Sequence, residues 1–314
     1  MLMYNQLTLE PGEILEVDPC VFWAEECGRV LLDSLRQHGQ LQPLLVQKTA
    51  GGYSLLAGYK RFQGLKSLGR TLYALQADVA GPWEKGLIYL SSNLERTPDT
   101  TMMLQALRYF QPLGQDQEQV YVMMGITPDS RQQLQLQAWL ELPHRWDTIL
   151  EHSPQLLACA GELREMDTED LDSLNPLFVE LSWSLNKARK LLELLNRCSR
   201  AGKISPAWVI SRLEMDRVLQ KDLSPKDKIQ TILNSLGREA YPEYTRLQEQ
   251  ARQNIRRLVA GTAWHCIHPD NFESSDLQLL VRVRTPEELD RASRQLSRIA
   301  GSDLLRPWPV YPYE

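Results

Sequence analysis

Strand signals in this chain are confined to residues 1–80 and to a short stretch near the C-terminus, and this limits the folds it can adopt. Four strands are predicted, at 7–17, 43–48, 53–58 and 71–79. Helical spacing of apolar residues predicts helices at 27–39 and 59–69, and each ends in a glycine. The order helix, strand, strand, helix, strand predicts a compact α/β unit.

Beyond position 86 the chain is expected to be helical. Residues 87–110 read as helix with a break near Pro98. Residues 116–142 divide into a short helix, a turn at 125–127 and a longer helix, for which we predict Thr127 as N-cap and Pro128 as first helical residue. Two helices joined by a glycine turn are the arrangement of a helix-turn-helix.

The remaining sequence is predicted to be helical as far as residue 260 and then to change. Helix breaks are expected at Pro154, Pro176, Pro206, Pro225 and Pro242. Strands at 263–269 and 277–284 and an amphipathic helix at 286–300 predict a small ββα element, with Leu289, Ala292, Leu296 and Ile299 inward. An extended tail is expected at 307–314. We therefore predict an α+β chain with four segments, 1–86, 87–150, 151–260 and 261–314.

Composition excludes several classes of protein. The net charge is −5, so any nucleic-acid contact must use a local basic patch. No apolar run reaches the roughly 20 residues that span a bilayer, and no signal peptide is recognised at the N-terminus. The five cysteines form no CxxC pair, which argues against a zinc site or a disulfide framework. We expect a cytoplasmic protein without a membrane partner.

The stretch LAGYKR, residues 56–61, places a glycine and two cations where a strand is predicted to give way to a helix. Free backbone N–H groups and the helix dipole favour an anion at such a turn. Lys60 and Arg61 could add charge-assisted hydrogen bonds to a phosphate. Taken alone, these residues favour the alternative, an ordinary solvated helix start.

Three segments taken together resemble a known family. They are GQLQPLLV at 39–46, YSLLAGYKRFQGLKSLG at 53–69 and SSNLERTPD at 91–99. In this order they are similar to the N-terminal domain of the ParB/sulfiredoxin superfamily. The predicted helix-turn-helix, with WLELP at 139–143, lies where partition proteins of the ParB type place theirs. The resemblance covers roughly residues 7–150.

The resemblance implies a nucleotide site, with CTP and Mg²⁺ as ligands. Carried over by position, phosphates would be contacted by Gly58, Lys60, Arg61 and Arg96. Asn93 would reach the metal ion, and Gln42 and Pro43 would line the nucleotide pocket. The resemblance also implies DNA as a partner, a homodimer and a location on the nucleoid.

Two positions depart from the family pattern. Tyr59 and Ser92 stand where the family has acids associated with metal binding and hydrolysis, so we expect at most weak CTPase activity. The turn also lacks the cysteine of the sulfiredoxin branch. The serine-kinase branch needs an early catalytic acid, for which Glu25 and Glu26 are candidates.

Two stretches could contact DNA. In the second predicted helix of the helix-turn-helix, the candidates are Ser130, Arg131 and Gln133, because glutamine and arginine side chains can read base edges. Residues 186–203 hold six cations and one acid, and the candidates there are Lys187, Arg189, Lys190 and Arg197. The alternatives are a plain helical hairpin and a solvated helix face balanced by the acidic run at 165–172. A metal site at His265 and His268 is disfavoured, because these positions fall on opposite faces of a strand.

The leading hypothesis is a ParB-like DNA-binding protein of chromosome or plasmid partition, with a CTP-binding domain impaired in hydrolysis. A small-molecule kinase of the same fold and a non-catalytic interaction protein are the alternatives.

Overall fold

The computed structural model describes residues 4–115, 117–267 and 278–302. The chain forms two compact units, 1–232 and 233–314. His268, the ends of the two predicted C-terminal strands and the predicted tail at 307–314 lie outside the described residues.

The N-terminal part of the first unit is a five-stranded mixed sheet. Its strands are β1 Tyr4–Leu9, β2 Ile14–Val17, β3 Leu44–Lys48, β4 Tyr53–Ala57 and β5 Leu72–Ala77. Their order across the sheet is β1-β5-β3-β4-β2. The pairs β1–β5 and β3–β4 are antiparallel, whereas β3–β5 and β2–β4 are parallel. A short 3-10 turn at Pro11–Glu13 separates β1 from β2 and divides the single strand expected at 7–17.

Two helices cover the sheet, α1 at Arg29–His38 and α2 at Tyr59–Ser67. Leu35, Phe62 and Leu65 are buried against the apolar side chains of the central strands. Ser54 to Ala57 of β4 are all buried, which explains why this strand, apart from Ser54, is a continuous apolar run rather than an alternating one. The predicted order of helices and strands in this region is confirmed.

The rest of the first unit is helical. Its helices are α3 Pro82–Ser91, α4 Thr100–Phe110, α5 Glu118–Met123, α6 Arg131–Leu140, α7 Asp147–His152, α8 Ala160–Arg164, α9 Thr168–Glu180, α10 Leu185–Gly202, α11 Pro206–Arg212, α12 Met215–Leu219 and α13 Pro225–Ala240, which continues past position 232. Further 3-10 segments lie at Gln111–Leu113, His144–Trp146 and Pro154–Cys159. The break near Pro98 is confirmed, but α3 begins at Pro82 and therefore crosses the predicted boundary at 86.

Two predicted helix boundaries are wrong. Pro176 does not break a helix but lies inside α9, where Leu174, Leu177 and Phe178 are buried. Thr127 is not the N-cap of α6: the cap is Ser130, whose side chain accepts a hydrogen bond from the Gln133 N–H. Asp129, with φ 56°, turns the chain before this cap. The helix therefore begins at Arg131, three residues after Pro128, the predicted first helical residue.

One buried arginine joins three of these helices. Arg108 of α4 donates to both carboxylate oxygens of Asp147 on α7, at 3.0 and 3.1 Å. It also donates to the carbonyls of Leu140 and Leu142 at the end of α6, at 2.7 and 2.9 Å. The Trp139 indole donates to the same Asp147 carboxylate at 3.0 Å. The Arg108 side chain is 9% exposed, so these bonds are largely shielded from water.

The second unit includes α14 Pro242–Val259, β6 His265–Ile267, β7 Gln278–Leu280 and α15 Pro286–Ala300. The strands β6 and β7 are antiparallel, as expected for a ββα element. On α15, Ala292 and Ile299 are buried, but Leu289 and Leu296 are exposed. The prediction that all four face inward was wrong for the latter two. Within the described parts of the chain, no helix is both long and apolar enough to cross a bilayer.

Candidate nucleotide-binding site

The site is built around the turn between β4 and α2. Gly58 has φ 94° and is the N-cap of α2, a left-handed conformation that favours glycine. A Cβ atom at this position would lie 2.8 Å from Leu44 Cδ2. Only glycine fits this turn without displacing the core. The first N–H groups of α2 are therefore presented at a positive helix end.

The two cations of the turn have different surroundings. Arg61 is half-buried and donates to the Pro43 carbonyl at 2.8 Å, and burial lowers the pKa of its guanidinium. Lys60 is 40% exposed at its side chain, and its ammonium group pairs with a carboxylate on the surface rather than with the backbone of the turn. Arg61 therefore fixes the turn to the start of β3, whereas Lys60 remains partly accessible to solvent.

The second wall follows the C-terminus of α3. The Ser92 hydroxyl and the Asn93 side-chain amide both donate to the Tyr89 carbonyl, at 2.8 Å each. The backbone N–H of Arg96 donates to the Asn93 carbonyl at 2.9 Å. These bonds continue the helix into a tight turn, which brings Arg96 back toward the first wall.

The two walls enclose one cavity of about 280 Å³. Its lining comprises Trp23, Leu31, Gln42, Gly58, Tyr59, Lys60, Arg61, Tyr89, Ser92, Asn93 and Arg96. The structure therefore brings together six of the seven residues that were predicted to bind nucleotide. Pro43 is not part of the lining and contacts the site only through Arg61.

An irregular segment at 21–28 contributes two further residues. The Glu25 carboxylate forms ion pairs with Lys60, at 2.6 Å, and with Arg96. The Arg96 guanidinium also lies over the Trp23 ring, 5.7 Å from its centre. The sequence motifs predict neither contact, although Glu25 is one of the two candidates for the catalytic acid of the kinase alternative.

A partly buried ion pair links α3 to the end of β2. Lys85 Nζ lies 2.7 Å from Asp18 Oδ2, and the side chains are 22% and 10% exposed. Asp18 also accepts from the Cys20 N–H at 3.0 Å. Burial is the main cause that raises the pKa of the Cys20 thiol, and the nearby Asp18 carboxylate adds to it. The thiol therefore stays protonated. The pair thus connects the end of β2 to the helix that carries Tyr89, Ser92 and Asn93.

The residues present do not form a magnesium site. Tyr59 and Ser92 replace the expected acids, and the Tyr59 hydroxyl accepts a hydrogen bond from Gln63 at 2.9 Å. Burial raises the pKa of Tyr89 to about 12, so its hydroxyl remains neutral. The described residues contain no group of three His, Cys, Asp or Glu side chains that could hold a metal ion. Asn93 alone is a poor donor set for Mg²⁺.

The candidate DNA-contacting residues on α6 differ in exposure. Arg131 is exposed at the start of the helix. Ser130 and Gln133 are half-buried and engaged with the backbone, because the Gln133 side chain accepts from the Asp129 N–H at 2.7 Å. α5 and α6 are joined by a turn in which Gly125 has φ 76°. Of the three candidates, Arg131 is the one best placed for a ligand.

The candidate cations on α10 are partly balanced by acids. Leu191, Leu194 and Leu195 are buried, as predicted. Arg189 lines a groove of about 750 Å³ that also includes Glu162, Glu165 and Glu193. Lys190 pairs with Glu193 at 3.2 Å. Lys187 is half-buried and Arg197 exposed, so the helix presents a mixed rather than a purely basic face.

The fold and the cavity define an α/β domain with a cavity that is lined by cationic side chains. Residues 13–81 match the family described as ParB N-terminal domain. This part of the chain is therefore similar to ParB N-terminal domains, in agreement with the resemblance carried by the motifs.

One curated protein aligns with about a fifth of the chain. Stage 0 sporulation protein J of Bacillus subtilis is 32% identical over 77 residues, which is 21% of this chain and 27% of that protein. The chain thus aligns with about a quarter of the length of this curated relative.

Two solved structures resemble the chain loosely. One is a C-terminally truncated ParB from Caulobacter crescentus complexed with CTP-gamma-S, with 19% identity, a TM-score of 0.26 and coverage of 56% of this chain and 99% of that one. The other is a Pnob8-like ParB-N domain, with 17% identity, a TM-score of 0.34 and coverage of 80% and 98%. Because both TM-scores are below 0.5, neither structure serves as a template for this chain.

Proposed function

We propose that the chain is a ParB-like partition protein whose N-terminal domain binds CTP, or a closely related nucleoside triphosphate, in the 280 Å³ cavity. The observation that carries the proposal is the convergence of Gly58–Arg61 and Asn93–Arg96 on one cavity, although the two segments lie far apart in the sequence. CTP is the first ligand to test because the matching domain belongs to the ParB family, and the C. crescentus ParB is described with a CTP analogue.

The cavity provides what a polyphosphate requires. The N-terminus of α2 offers free N–H groups beside Gly58. Lys60 and Arg96 supply two cations from opposite walls, and Arg96 can form paired hydrogen bonds to phosphate oxygens. Gln42 and Leu31 lie on the remaining part of the lining and are available to the sugar and base. The missing carboxylates favour binding over hydrolysis.

We expect CTP to bind measurably by isothermal titration calorimetry, with little phosphate release. Lys60→Ala and Arg96→Ala should each weaken binding by about 10- to 100-fold, since a hydrogen bond to a charged group contributes roughly 1.5–3 kcal/mol. Lys66→Ala is the matched control, because Lys66 lies at the other end of α2 and should leave affinity unchanged. A flat response to CTP, ATP and ADP at millimolar concentration would refute the nucleotide site.

The proposal also includes DNA binding, self-association and a nucleoid location. Support for DNA comes from the exposed Arg131 at the start of α6 and from the cations of α10, where Arg189 lines the acidic groove and Lys190 pairs with Glu193, whereas Lys187 is not part of the groove lining. Such a surface would supply phosphate contacts and, through Arg131, one base contact.

A gel-shift experiment tests this surface. Arg131→Ala should weaken specific DNA binding by about 5- to 100-fold if Arg131 contacts a base, whereas Lys187→Ala should reduce the salt dependence of binding to any sequence. Arg36→Ala, an exposed cation of α1 paired with Asp33, is the control. Absence of any shift at low salt would rule out DNA as a partner.

A further inference from the structure

The two cations proposed to hold phosphate are already paired with a carboxylate of the same chain. Glu25 lies 2.6 Å from Lys60 Nζ and also pairs with Arg96. Lys60 and Arg96 come from opposite walls of the cavity, so one side chain bridges both. A carboxylate offers two anionic oxygens to these cations, and a phosphate group offers the same kind of acceptor.

We propose that Glu25 occupies the phosphate subsite as an internal competitor, and that the polyphosphate of the ligand displaces it. This inference depends on the proposed nucleotide site. In the ligand-free chain the carboxylate neutralises Lys60 and Arg96. When a ligand binds, its phosphate oxygens take over both cations and the Glu25 side chain turns into solvent.

Exposure permits this exchange. The side chains of Glu25, Lys60 and Arg96 are 44%, 40% and 28% exposed, so none is locked in the core. Half-exposed ion pairs are weak and exchange readily with ions from solution. A ligand that carries several negative charges gains more from the two cations than a single carboxylate does.

The backbone around Glu25 is held on both sides. The Trp23 indole donates to the Met102 carbonyl of α4 at 2.8 Å, and the Cys27 N–H donates to the Gln63 side chain of α2 at 3.0 Å. Displacement therefore needs only rotation of the Glu25 side chain, not opening of the segment. The competition should discriminate by charge: a triphosphate displaces Glu25 more easily than a monophosphate.

The test compares Glu25→Gln with Glu26→Gln, titrated with CTP and with inorganic tripolyphosphate. Both substitutions remove one negative charge from adjacent exposed positions. Comparing the two variants therefore separates the loss of local competition from a general change in the electrostatic field of the protein. Each exposed ion pair changes a binding equilibrium by about 1.5- to 5-fold, and Glu25 forms two such pairs, whose effects multiply. We expect Glu25→Gln to bind both ligands about tenfold more tightly, with Glu26→Gln unchanged and the melting temperature of both variants retained.

The outcomes distinguish the two proposals. If the wild-type chain binds CTP and Glu25→Gln binds it equally or more weakly, the competition is refuted while the nucleotide site stands. A gain for CTP without a gain for tripolyphosphate also refutes it, because the effect then lies outside the phosphate subsite. If none of the three chains binds either ligand, the nucleotide site itself fails, and the inference fails with it.

Discussion

Replacing Arg108 by methionine is expected to lower the free energy of unfolding by about 3–5 kcal/mol, because it breaks a shielded ion pair from one side. Asp147 would lose its bidentate partner, and the carbonyls of Leu140 and Leu142 would lose a donor. Methionine fills a similar volume, so the loss reflects electrostatics and hydrogen bonding rather than a cavity. Urea unfolding followed by tryptophan fluorescence measures the effect.

The control for this experiment is Arg164→Met. Arg164 pairs with Glu141 at 3.5 Å on the surface, with side chains 43% and 57% exposed. Its substitution should lower the free energy of unfolding by less than about 1 kcal/mol. Lysine at position 108 keeps the charge but cannot span a carboxylate and two carbonyls, so it should restore only part of the loss. Equal stabilities for Arg108→Met and Arg164→Met would contradict the role given to Arg108.

Replacing Lys85 by methionine is expected to cost about 3 kcal/mol and also to weaken nucleotide binding. The Asp18 carboxylate would keep the hydrogen bond from the Cys20 N–H, but among the described residues it would lose the only cation within 4 Å. Because α3 carries Tyr89, Ser92 and Asn93, loosening its link to β2 should disturb one wall of the cavity.

The matched variant is Lys190→Met, which removes an exposed pair with Glu193 on α10 and should change stability by less than about 1 kcal/mol. Denaturant unfolding and CTP titration are performed on both. If Lys85→Met matches Lys190→Met in stability, the ion pair does not hold α3 in place. A stability loss with unchanged CTP affinity would show that the cavity wall does not depend on this link.

The order of elements in the N-terminal domain could be predicted because its signals are local. Gly39 ends α1 with φ 73°, and the turn at 50–52 joins two short apolar runs. Where a boundary depends on distant partners, prediction failed. α9 tolerates Pro176 because Leu177 and Phe178 are buried by other elements, and this burial offsets the lost backbone hydrogen bond.

The residues of the candidate site also divide into those with a local sequence signal and those that depend on distant partners. The motifs identified Gly58, Lys60 and Arg96, because each belongs to a short segment with its own pattern. Their convergence on one cavity was implied by the resemblance and is a property of the structure. The ion pairs of Glu25 and Lys85 could not be predicted, since the partner of a charged side chain depends on the three-dimensional fold. Trp23 and Tyr89 belong to no motif and were missed for the same reason.

Both edges of the five-stranded sheet come from the first 17 residues: β1 lies at one edge and β2 at the other. The match to the ParB N-terminal domain begins at residue 13, after β1. A fragment cut to those bounds would leave the outer backbone N–H and C=O groups of β5 without their antiparallel neighbour. Such an uncovered strand readily pairs with another chain. Oligomers seen with a fragment of that kind would therefore reflect a missing strand rather than a native interface.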